Sequence, residues 1–202
     1  TYIKIQKDDI ISILNELPNT LDKDHFNSVD IENIACIGYS GGGATSADIC
    51  ALDSRIKAGV NINGVLYGDA WNYSIQQPFL YINADYSAPK KAEIEMLGGL
   101  AAIDSLMSFY NKRKKELSTK SKNDFYELTL FNTTHHNFSD WALADKSFCG
   151  KTNPKKCLEN TYLYIRLFLD KYLKGVTSDQ LDARTKTKNY NFEIIKTAPK
   201  EN

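Results

Sequence analysis

Apolar residues recur along this chain in two rhythms. Near the start, Ile10, Ile13, Leu14 and Leu17 fall at helical spacing, with Asp8 and Asp9 early in the run. That spacing predicts an amphipathic helix over about 4–17, ended by Pro18. The segment 19–31 is polar and turn-rich. Four short apolar runs follow, at 33–39, 58–63, 79–83 and 125–131, each bounded by turn formers as buried parallel strands are. Between them the pattern predicts a helix over 42–52 and a long polar helix over 90–115. Residues 158–173, with Tyr162, Ile165, Leu167 or Tyr164, Phe168 and Leu169, read as a closing amphipathic helix.

Strands alternating with helices predict an α/β fold, a mostly parallel sheet flanked by helices. Residues 1–175 are expected to form its core and 176–202, polar in composition, a peripheral tail. A chain of 202 residues with 42% apolar side chains suits one domain. Its 25 acidic and 25 basic residues balance, which gives no reason to expect nucleic acid as a partner. No stretch has the length of a membrane span or the form of a signal peptide. The cluster Lys112-Arg113-Lys114-Lys115 reads as a solvated helix end, where cations suit the helix dipole, rather than a patch for lipid or nucleic acid.

Two kinds of cysteine are present. Cys36 and Cys50 lie inside a strand and a helix, where thiols behave as small hydrophobes. Cys149 and Cys157 flank a polar loop and are either a disulfide, which would favour a secreted or periplasmic protein, or two unpaired thiols. No cysteine or histidine pairs have zinc-ligand spacing, and no metal or organic cofactor is expected.

The candidate chemistry starts at Gly38-Tyr39-Ser40-Gly41-Gly42, a G-x-S-x-G pattern between an apolar strand and a run of small residues. Strand, tight turn and helix in that order make a nucleophile elbow, with the serine hydroxyl raised at a helix N-terminus. No phosphate-loop or dinucleotide pattern accompanies it. Ser40 is the candidate nucleophile, and a serine needs a base to take its proton. Only three histidines exist. His25 precedes the elbow strand and is expected to be a solvated residue without a role, whereas His135 and His136 follow the last strand, where an α/β-hydrolase carries its base. The third member, which orients the imidazole, is open among Asn63, Asp69 and Asp85.

The stretches 34–47 (IACIGYSGGGATSA), 55–68 (RIKAGVNINGVLYG), 78–86 (PFLYINADY) and 135–140 (HHNFSD) together resemble α/β-hydrolases of the platelet-activating-factor acetylhydrolase type and related bacterial esterases and lipases. The resemblance implies an α/β-hydrolase fold, a short-acyl or lipid-like ester substrate, and His135 as the base, heading an H-x-N-F-x-D pattern. It also implies an aspartate after the strand ending near Ile62, where this chain has Asn63-Gly64. Asn63 is then expected to orient His135 through its side-chain carbonyl, or Asp85 to substitute from the next strand. Asn followed by Gly is also prone to deamidation, which would produce aspartate. Such enzymes carry further strands before the first helix, including one oxyanion donor. The resemblance therefore implies a separate N-terminal segment or chain that completes the sheet, and leaves Gly41 as the oxyanion donor in this one.

These features lead to a serine carboxylic-ester hydrolase working through an acyl-enzyme. A catalytically weak or inactive hydrolase-fold binding module is the alternative, and a peptidase of the same fold a third reading.

Overall fold

The computed structural model describes residues 2–20 and 29–196. His25 lies outside the described residues, as does most of the polar segment in which it sits. Helix α1 (Tyr2–Thr20) is followed by strand β1 (Ile34–Tyr39), α2 (Gly41–Leu52), β2 (Ile56–Ile62), β3 (Phe79–Ala84), α3 (Lys91–Met96) and α4 (Leu100–Lys120). Then come β4 (Phe125–Leu130), α5 (Trp141–Ala144), α6 (Pro154–Lys174), α7 (Asp179–Asp182), β5 (Thr185–Lys186) and β6 (Tyr190–Lys196). The strands form one sheet in the order β1-β2-β3-β4-β6-β5, with β1 to β4 parallel and the last two antiparallel. This is the α/β-hydrolase arrangement.

β3 is buried at every position, because both faces of the sheet are covered. On one face Val60, Leu80, Ile82 and Leu128 pack with Tyr164 and Phe168 of α6. On the other, Phe79, Tyr81 and Phe125 pack with Ile49 of α2 and Tyr110 of α4. α2 is buried from Gly43 to Cys50, lying between the sheet and α1. The small side chains that made this run look helix-compatible are thus what allow two layers to close on it.

Several expectations change. Pro18 does not end α1, which continues to Thr20. The expected long helix over 90–115 is two helices, parted at Gly98 and Gly99, whose φ values of +86° and +104° suit only glycine, and the second runs on to Lys120. α6 begins earlier than its apolar pattern, at Pro154, because the Asn153 side chain accepts from the Lys155 N–H and caps it. It ends at Gly175 in the left-handed region. Tyr162 faces outward, 57% exposed, while Tyr164 takes the inward position.

Of the stretch expected to be a peripheral tail, the described residues 176–196 add strands to the sheet. β6 pairs with β4, and Phe192, fully buried, stacks on Tyr126. The cluster at 112–115 is partly committed to packing: the Arg113 guanidinium lies 3.3 Å over the Trp71 ring, and Lys114 pairs with Glu127. Cys149 and Cys157 carry free, buried thiols rather than a disulfide, which removes the ground for favouring an oxidising compartment. No described helix is long and apolar enough to cross a membrane.

Candidate active site

β1 ends at Tyr39, and the chain reverses sharply at Ser40, which has φ 56° and ψ −123°. This is a positive φ for a side-chain-bearing residue, the strain an elbow imposes. The Ser40 N–H donates to the Ile62 carbonyl at 3.0 Å, tying the elbow to the end of β2. Gly38 is required by crowding: a Cβ there would come within 1.9 Å of the Gly42 carbonyl oxygen. At Gly64 a Cβ would meet the Ser40 carbonyl oxygen at 2.2 Å, so the same closeness holds on the β2 side. Gly41 is the first residue of α2, where N–H groups lack an intrahelical acceptor.

The imidazole arrives from the far side of the sheet. After β4 the chain reaches a 3-10 turn, His135–Phe138, held by a capping box between Thr134 and Asn137. Asn137 Oδ1 accepts from the N–H groups of Thr134 and Gly150, both at 2.8 Å, and Phe138 enters the core. These two residues fix the loop that presents His135. Its Nε2 lies 3.0 Å from Ser40 Oγ, and its Nδ1 lies 2.9 Å from Asn63 Nδ2. Asn63 Oδ1 accepts from the Ala84 N–H at 2.9 Å.

The side chains of Ser40, His135 and Asn63 therefore meet, while Asp85 and Asp69 lie among other partners. Asp85 Oδ1 accepts from the N–H groups of Thr133 and Ser87, and its Oδ2 from the Ser87 hydroxyl, so it braces the loop behind His135 without touching the ring. Asp69 lies at the start of a 3-10 turn whose N–H groups are held by Asp48. The expectation that Asn63 turns its carbonyl to His135 also fails, because that oxygen is committed to Ala84. Deamidation is opposed as well. Asn63 is buried, and the Gly64 nitrogen that would attack it donates to Asn61 Oδ1 at 2.6 Å.

Burial holds the His135 pKa down, to about 4, assisted by positive charge on His136 and opposed by the Asn63 backbone carbonyl. At neutral pH the ring is uncharged and carries a lone pair, as a base must. Three further residues, not singled out by any motif, border the site. Tyr39 stacks on His135, with ring centroids 4.7 Å apart. Its position just before the serine was the available signal. Glu93 is fully buried and sets Oε2 3.1 Å from His136 Nδ1, but nothing in its lysine- and glutamate-rich surroundings marks it. Tyr86, with φ 51°, joins the wall beside them.

Ser40, Gly41, Asn63 and His135 open into a cavity of about 590 Å³. Its other walls are largely apolar, with Ile3, Val65, Tyr67, Met96, Leu106 and Met107 among them. An uncharged, oily substrate portion fits such a space. Among the described residues no cluster of His, Cys, Asp or Glu is set to hold a metal ion.

Comparisons with known proteins agree in direction. The family model described as "Platelet-activating factor acetylhydrolase, isoform II" matches residues 7–192. A platelet-activating factor acetylhydrolase from Gallus gallus is 24% identical over 143 residues, covering 69% of this chain and 29% of the relative. One from Cavia porcellus is 27% identical over 128 residues, covering 61% and 24% respectively. The chain thus spans less than a third of these relatives. Among solved structures, a ferulic acid esterase from Streptomyces cinnamoneus superposes with a TM-score of 0.67 at 20% identity, over 91% of this chain and 52% of that one.

Proposed function

Since this chain belongs to the platelet-activating factor acetylhydrolase, isoform II family, we propose that it hydrolyses carboxylic esters through an acyl-enzyme on Ser40. The observation that carries the reading is the 3.0 Å contact between Ser40 Oγ and His135 Nε2 at the wall of an apolar cavity. In the first half-reaction the hydroxyl oxygen attacks the ester carbonyl while His135 Nε2 accepts its proton. The carbonyl oxygen becomes an oxyanion, to which the Gly41 N–H at the start of α2 donates. The tetrahedral intermediate collapses, His135 returns the proton to the leaving alcohol, and the acyl group stays on Ser40. Water then repeats the sequence and frees the acid.

Substrate class follows from the cavity and from the relatives. The apolar walls favour a short-acyl or lipid-like ester, in keeping with the acetylhydrolase and ferulic acid esterase names of similar proteins. β1 is the outermost strand of the described sheet, and Ile37 on it is 45% exposed. This supports a further segment or chain beside β1 that completes the sheet and brings a second oxyanion donor.

The test is a rapid-mixing assay with 4-nitrophenyl acetate. Acyl-enzyme chemistry predicts a burst of nitrophenol approaching one equivalent per protein, absent in Ser40→Ala. Equal hydrolysis by both proteins, without a burst, would overturn the proposal. The second reading, a hydrolase-fold binding module, is favoured by one observation only, the amide at position 63.

A further inference from the structure

The Asn63 side chain faces the Nδ1 edge of the His135 ring. The Ala84 N–H is a fixed backbone donor, and it points to Asn63 Oδ1 at 2.9 Å. That leaves the NH2 group of the same amide facing His135 Nδ1 at 2.9 Å. An amide NH2 only donates, so the ring nitrogen opposite it must accept. Turning the amide over would set its NH2 against the Ala84 N–H, donor against donor. The Asn63 backbone carbonyl also lies near the ring and favours its charged form, yet the atom in hydrogen-bond contact with Nδ1 is Nδ2.

We infer that Asn63 is a tautomer-setting residue that holds His135 with its proton on Nε2, so that the site at rest keeps the base's lone pair turned away from Ser40. This inference rests on the ester-hydrolase reading for its consequence but not for its geometry. In that tautomer Nε2–H donates to Ser40 Oγ, when Nε2 should accept from it. Turnover then requires the ring to move its proton from Nε2 to Nδ1, giving up the hydrogen bond from Asn63. A carboxylate at the same place would reverse the preference. One oxygen would still accept from Ala84, and the other would accept Nδ1–H, leaving Nε2 free to take the serine proton. The analogous acid-to-amide change in a serine triad of a different fold lowers kcat roughly 10⁴-fold through the wrong tautomer. Asn63 is thus a positioning residue that keeps this chain's hydrolytic capacity low.

The experiment is ring-nitrogen NMR on the 15N-histidine protein at pH 7, where His135 is neutral. Three histidines make assignment practicable, with His136→Gln as the control. The native protein should show His135 with Nε2 protonated and Nδ1 bare, and Asn63→Asp should show the reverse. In the same Asn63→Asp protein, kcat for 4-nitrophenyl acetate should rise about 10²- to 10⁴-fold with KM changed little. A merely structural role for Asn63 would lower thermal stability without exchanging the tautomer. Native protein with Nδ1 protonated would overturn the inference whatever the activity. If the tautomer exchanges but no ester is cleaved, the inference holds and the hydrolase reading fails.

Discussion

Tyr39 clamps His135: the two rings stack at 20° with centroids 4.7 Å apart, and the Tyr39 hydroxyl donates to the His135 backbone carbonyl at 3.0 Å. The residue before the proposed nucleophile therefore holds the proposed base, so elbow and histidine loop form one rigid unit. Burial pushes the Tyr39 phenol up to about 12, which keeps it a donor at any ordinary pH. Tyr39→Phe removes the hydrogen bond and keeps the stack. It should cost about 1 kcal/mol of stability and lower kcat by less than tenfold. Tyr39→Ala removes both, and kcat should fall at least tenfold further as the ring loses its position. Steady-state kinetics beside thermal melts of both variants checks this ordering.

The depressed pKa of His135 fixes the pH behaviour. The ring must be neutral to act as base, so acylation should rise with pH through about 4 and level off above it. Replacing His136 by Gln removes the positive charge that helps to depress it, and the acid limb should move to higher pH. Stability follows the same group. Between about pH 6.5 and 4 the unfolded chain binds a proton at this position that the folded chain refuses, so stability falls as pH falls through that window. The loss is on the order of 3 kcal/mol, and His135→Gln should flatten it. Denaturant midpoints measured from pH 7 to 4 for the two proteins give the comparison.

The glycines of the elbow are not equivalent. Around Gly42 no atom outside its own helical turn lies within 4 Å of an added Cβ, whereas Gly38 has the Gly42 backbone at 1.9 Å. Gly42→Ala should fold at least as well as the native chain, gaining up to about 1 kcal/mol of helix propensity. Gly38→Ala should displace the elbow, with loss of several degrees or more in Tm and of ester hydrolysis. Thermal melts of the pair separate crowding at one position from mere glycine preference at the other.

The elbow and the histidine could be read from sequence because their signals are local. A short strand, a serine among glycines and a histidine pair after the last strand each announce themselves within a few residues. Which of Asn63 and Asp85 stands beside His135 could not, since both follow apolar strands. It is decided by strand order. Tyr39 pairs with Ile62 across β1 and β2, so the residues that follow, Ser40 and Asn63, leave the sheet side by side. Asp85 follows β3, one strand further away.

β6 was missed for a related reason. Its alternation over 190–196 is interspersed with polar residues, and only pairing with β4 buries Phe192. The break at Gly98-Gly99 was hidden because the helical pattern resumes directly after it.

Labelling with a fluorophosphonate probe reads out whether Ser40 and His135 act as a couple. Stoichiometric modification of Ser40 is expected, abolished in Ser40→Ala and slowed at least a hundredfold in His135→Ala, with both variants folded by circular dichroism. Labelling that persists in Ser40→Ala, or that is as fast in His135→Ala as in the native protein, would contradict it.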